Sequence, residues 1–147
     1  MTTKGKGLDL ASFDIQGDHD KGCEIEINAD GEPLGIFITI VGQYSKAYTD
    51  HNRKVTNQVL RTSQHNRQRG KNEETLTVDK LKDKGTELLI ACTVSWRMEG
   101  KKTILWEGEE LEFTPKNART LYESNKIPFL RKQVDDAITD DTLFMKS

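Results

Sequence analysis

The chain has few of the residues and motifs that usually mark chemistry. Its two cysteines, Cys23 and Cys92, lie far apart and form no CxxC pair, so both are expected as free thiols in a reducing compartment. No apolar run approaches the roughly twenty residues that span a bilayer. Residues 1–7 also have no apolar stretch of the kind found in secretory signals, so a soluble cytosolic chain is expected. Net charge is only −2, which does not favour nucleic-acid binding by the molecule as a whole. The histidines, His19, His51 and His65, are scattered among polar residues without metal-ligand spacing and are expected to be exposed. No serine sits in a GxSxG elbow, and there is no GxGxxG or GxxxxGK[ST] loop. The acidic pairs Glu109-Glu110, Asp135-Asp136 and Asp140-Asp141 are sequence neighbours. A catalytic pair must instead face across a substrate. No catalytic, cofactor or metal residue is assigned, and no enzyme is expected.

What is present builds a fold. With 147 residues, 34% of them hydrophobic, the chain suits a single domain with a modest core. Residues 23–28 alternate apolar and polar as a half-buried strand does. Asp30-Gly31 and Pro33 are turn chemistry. Residues 35–42 form a β-branched apolar run, expected to be a strand buried on both faces or nearly so, which completes a hairpin. Ser45 caps a predicted helix to about residue 67, with a thin apolar face of Tyr48, Val55 and Val59, joined by Leu60 or His51. A second helix is predicted from Val78 to Gly100, with Leu81, Leu88, Leu89, Cys92 and Trp96 on one face. Thr114-Pro115 opens a third, and Pro128 leads a fourth to Ile138. Residues 1–20 and 66–75 are expected to be flexible, with Phe13 and Ile15 as the points where the N-terminal segment finds a groove. The fold class is therefore α+β, an N-terminal hairpin packed on about four helices.

Two features point outward. From Arg53 to Lys71 the chain carries Arg53, Lys54, Arg61, Arg67, Arg69 and Lys71 with no acidic residue. Such a run suits a solvated helix face, a protein contact or a phosphate backbone, but it has no interleaved aromatics for base stacking. The C-terminal third is acidic, so opposed faces could pair copies with one another or with an oppositely charged protein. Trp96, Trp106, Phe113, Tyr122 and Phe129 are expected to clamp the C-terminal helices onto the second helix. Phe144 and Met145 lie in a tail that either folds back or docks in a partner.

The order of these pieces resembles the tail assembly chaperones of long-tailed bacteriophages. The similar elements are the run Leu88 to Trp96 with Leu-Leu-x-Ala-Cys-Thr-x-x-Trp, and Leu111 to Ala118 with an apolar-Phe-Thr-x-x-Asn-Ala start. Leu121-Tyr122, a proline-led segment ending in Gln133-Val134, and Asp140 to Phe144 follow. Residues 31–39 of the hairpin are also similar, whereas residues 99–106, with Lys101, Lys102 and Trp106, depart from the pattern. The resemblance implies a nonenzymatic protein of the host cytoplasm, absent from the mature virion. Such a protein binds the tape measure protein and keeps it soluble while the tail tube polymerises around it. It further implies contact with the major tail tube protein through a frameshifted longer form, and self-association. Arg61, Arg67, Arg69, Lys71 and Phe144 are the expected partner-binding residues. The alternatives are a structural head–tail or tail-tube component and, with less support, a small DNA-binding regulator.

Overall fold

The structure is a computed structural model that describes residues 9–10, 13–68 and 78–145. Arg69 and Lys71 lie outside the described residues, as does most of the expected flexible loop. The elements run α1 (Ile15–Lys21), β1 (Cys23–Ala29), β2 (Glu32–Ile40), α2 (Lys46–Gln68), α3 (Val78–Cys92), β3 (Thr93–Met98), β4 (Ile104–Trp106), β5 (Glu109–Leu111), α4 (Pro115–Tyr122) and α5 (Pro128–Ile138). A 3-10 turn, Asp141–Leu143, follows. The fold is α+β.

The predicted hairpin forms, with Ile27, Ile38 and Ile40 fully buried on its inner side. Asp30 and Gly31 turn the chain with φ of 52° and 80°, the left-handed pair that matches strand twist in a two-residue hairpin. An irregularity after Ile27 accommodates Pro33, which has no N–H to donate, and Gly35 at φ 71°. The outer face of β2 is only half covered. There the Arg97 guanidinium lies 4.2 Å from the Phe37 ring centroid and grips Glu24 through two hydrogen bonds of 2.8 and 2.9 Å. The reading of β2 as buried on both faces is thereby corrected.

A larger correction concerns the second helix, which stops at Cys92 and turns into a third strand antiparallel to β2. Cys92 and Trp96 are both buried, so their four-residue spacing fits a helix while belonging to two different elements. Three contacts end the helix. The Val41 N–H donates to the Cys92 carbonyl at 2.8 Å. Thr93 Oγ1 donates back to the Leu89 carbonyl at 2.7 Å, and the Tyr122 hydroxyl lies 2.7 Å from the same Oγ1. Since that Oγ1 proton is already committed, Tyr122 is the donor in the second bond. The β-branched pair Thr93-Val94 is also better suited to a pleated edge than to a helix.

Helices α2, α4 and α5 begin as predicted, whereas α1 lies in the segment expected to be flexible. Ser45 Oγ accepts from the Tyr48 amide at 3.2 Å, and Thr114 Oγ1 accepts from the Asn117 amide at 3.0 Å with Pro115 in the first turn. Pro128 opens α5, whose Leu130, Val134, Ala137 and Ile138 enter the core. Trp96 and Tyr122 are buried, with Trp106, Phe113 and Phe129 packed against the same cluster. Gln133 grips the β1 backbone at Asn28 from both sides, accepting from its N–H at 2.9 Å and donating to its C=O at 2.7 Å.

Candidate interaction surface

Five elements leave an apolar groove of 240 Å³ between them. Ile27 comes from β1, Leu34 and Ile36 from β2, and the whole of β4, Ile104, Leu105 and Trp106, forms the facing wall. Leu121 lies at its floor, and Ile127, Phe129 and Leu130 close the end at the start of α5. The groove is open to solvent because Leu34 and Leu105 remain 40% and 54% exposed on its opposite lips. An exposed apolar cleft with a buried floor favours association with another apolar surface.

The groove exists because residues 104–111 form a second hairpin, which is absent from the predicted elements. β4 and β5 pair from Ile104↔Leu111 to Trp106↔Glu109. Glu107 and Gly108 turn at φ 49° and 83°, repeating the Asp30-Gly31 geometry with a residue that favours it less. Trp96 Nε1 donates to the Leu111 carbonyl at 3.0 Å and ties the hairpin to the main sheet. The sequence signal was the short apolar run of residues 104–106 followed by Glu-Gly.

The strands around the groove also carry acidic residues. Glu26, on the face of β1 opposite Ile27, accepts from the Gly35 amide at 3.3 Å. Residues 103–112 hold Glu107, Glu109, Glu110 and Glu112 with no lysine or arginine. Lys101 pairs with Glu110 at 3.3 Å and holds its carboxyl below the ordinary range, with help from Thr103. Lys126 reaches Glu107 at 3.5 Å and lies over the Trp106 ring.

The expected partner residues fare differently. Arg61 is exposed on α2. Arg67 lies in the same helix, and its side chain falls outside the described part. Of the two alternatives for Phe144, folding back is the one seen: it is 5% exposed and stacks on His19 with centroids 4.7 Å apart. In that position it anchors the tail, while Met145 stays exposed.

His19 is corrected as well, being 1% exposed where an exposed imidazole was expected. Its Nδ1 accepts from the Tyr44 amide at 3.2 Å, so in the neutral ring the proton sits on Nε2, which lies 3.7 Å from Asp141 Oδ1. Gly42 makes room for the ring, since a Cβ there would lie 1.9 Å from Nδ1. The N-terminal segment is thus pinned by His19, not by the exposed Phe13 and Ile15. Asp20 adds a second tie by accepting from the Lys46 amide at 2.7 Å, at the start of α2.

Among the described residues, no group of three or more His, Cys, Asp or Glu converges to hold a metal ion. None of their helices is long and apolar enough to cross a membrane. Burial raises the Cys92 thiol to about 12. Cys23 is also raised, first by burial and then by Glu24. No family model, curated protein or solved structure matches this chain.

Proposed function

We propose that this chain is a tail assembly chaperone of the long-tailed phage type. It holds an apolar stripe of a long helical client, the tape measure protein, and keeps it soluble while tail tube subunits polymerise around it. The observation that carries this reading is the open apolar groove between β1–β2, the β4–β5 hairpin and the start of α5. A cleft of this size takes one or two aliphatic side chains from a partner helix. Repeated along an extended client, such weak contacts sum by multivalency.

The residues that carry the resemblance support the reading in a second way, because they are the staples of the fold. Thr93 joins α3 to Tyr122, Trp96 holds the hairpin, and Asn117 ties α4 to the Glu112 carbonyl at 2.9 Å. Gln133 grips β1, Asp140 accepts from the Thr142 amide at 3.1 Å, and Phe144 closes the tail. A pattern made of such contacts bears on the fold more than on a binding surface. The groove faces and the basic arm are where specificity for one client would reside.

The proposal is tested by co-expressing the chain with a tape measure protein of the same phage, and comparing the native groove with Leu105→Asp. Soluble client that co-purifies with the native chain and is lost with Leu105→Asp supports the reading. The structural-component alternative predicts instead that the chain is found in purified virions. Assembly by strand addition is restricted on the β1 side, where Gln133 already occupies the Asn28 backbone.

A further inference from the structure

We infer that the outer face of helix α2 is a docking surface for duplex DNA, separate from the groove and independent of any client. Helical spacing sets the face. Arg53, Asn57 and Arg61 follow one another at four-residue intervals, with Lys54 and Gln58 in the adjacent row. All five are exposed, and with Asp50 they line one shallow hollow. Gln64, also exposed, extends the face by one turn. Tyr48, Val55 and Val59 are half-buried on the opposite side. Leu60, 55% exposed, lies about a quarter turn from Arg61. Helix α3 adds a further cation, since Lys84 Nζ donates to Gln58 Oε1 at 3.3 Å. α2 carries Lys46, Arg53, Lys54, Arg61 and Arg67 against Asp50 alone, in a chain whose net charge is −2. Positive charge is therefore concentrated on this one element.

The occupant follows from what this face has and what it lacks. Protein interfaces centre on apolar or aromatic anchors, and a helix lying on a membrane needs an apolar side to bury. None of the positions from Asp50 to Gln64 on this face is apolar. Single-stranded nucleic acid is held by stacking on aromatic rings, and no Phe, Trp or Tyr occurs from Thr49 to Gln68. Duplex RNA has a major groove too narrow for side chains to read. The major groove of B-DNA, about 12 Å wide, admits a helix, and its phosphate rims take Arg and Lys. Arginine and lysine pair with guanine edges there, and asparagine and glutamine with adenine edges. Those are the side-chain types that alternate along α2. Asp50 is the one opposing charge, and its 3.6 Å contact with Arg53 is an exposed pair that a phosphate can replace at little cost.

The test is fluorescence anisotropy of a labelled, mixed-sequence DNA duplex of about twenty base pairs, titrated with the full chain as salt is raised. The expected result is saturable binding that weakens on the order of 100-fold between about 50 and about 200 mM salt, as counterion release from about four phosphates requires. Lys54→Gln with Arg61→Gln should lower the log–log salt slope by about two and weaken low-salt binding at least about tenfold. Asp50→Asn should act the other way, tightening binding by roughly threefold, because it frees Arg53 for a phosphate. Lys132→Gln removes an exposed cation from α5 and should leave the slope unchanged. Circular dichroism checks that each exposed substitution leaves the fold intact. No binding at low salt, a slope that the α2 variants do not change, or an equal loss with Lys132→Gln would overturn the inference. So would single-stranded DNA, duplex RNA or polyglutamate that competes as strongly as the DNA duplex. The groove reading stands or falls separately, in the Leu105→Asp comparison.

Discussion

Helix α2 and the pair α4–α5 are both regular helical structure, yet they do opposite work. α2 runs 23 residues, about 34 Å at the standard rise, and none of its described side chains is buried. α4 and α5 are eight and eleven residues long and bury Ala118, Leu121, Tyr122, Leu130, Val134, Ala137 and Ile138. The difference lies in apolar content at helical spacing, since α2 and α4 both begin with a side-chain cap and α5 enters the core without one. Capping decides where a helix starts, while the width of its apolar face decides whether it becomes core or arm. The arm remains available to partners because it contributes so little to the interior.

This contrast predicts a gradient of mutational effects. Leu121→Ala, in the core half, should cost about 2–5 kcal/mol in denaturant unfolding, the range for a leucine removed from a packed site. Val59→Ala, on the arm, should cost under about 1 kcal/mol, because its half-buried side chain leaves little cavity. Equal costs would break the distinction between arm and core.

The root of the arm is the next place to probe. Gly42→Ala puts a methyl where the His19 ring sits and should cost about 1–3 kcal/mol by overpacking. Hydrogen exchange should then rise first in α1, the element His19 pins, and not in α5. Tyr122→Phe removes the hydroxyl from Thr93 and should cost about 1 kcal/mol. Glu107→Asn should act the other way, raising stability by up to about 1 kcal/mol, since asparagine tolerates the left-handed position better than glutamate. No gain there would contradict the turn geometry of the second hairpin.

The thiols separate interior from surface without changing the net fold. Cys92 has a folded value raised from 9.0 to about 12, so its contribution to stability is intact below pH 9. It is lost as pH rises toward 12, because only the unfolded chain ionises this thiol in that window. Denaturation midpoints should therefore fall across that alkaline range, and less so in Cys92→Ala corrected for its cavity. At neutral pH a thiol reagent should label Cys23 first and Cys92 only on unfolding.

How far the sequence could be read depended on how local each determinant was. The Asp30-Gly31 turn, the Ser45 and Thr114 caps and Pro128 act over three or four residues, and the elements they predict are present. β3 was missed because Leu88, Leu89, Cys92 and Trp96 satisfy a helical period across a helix–strand junction. What breaks the helix, Val41 and Tyr122, comes from distant chain. His19 was misread for the same reason, since its pocket needs Gly42, Tyr44 and Phe144 together. The groove draws on five elements, so no window of sequence contains it. Of its parts, only the aromatic Trp106 and Phe129 stood out, and they were assigned to clamping. The basic run was visible at once because charge is read residue by residue.

The most direct measurement is co-expression of the chain with a tape measure protein of the same phage, followed by the amount of client that is soluble and co-purifies. Binding in the groove predicts soluble client with the native chain and with Val59→Ala on the arm, and its loss with Leu105→Asp in the folded variant. Client that stays insoluble with the native chain, or is held equally well by Leu105→Asp, would contradict it.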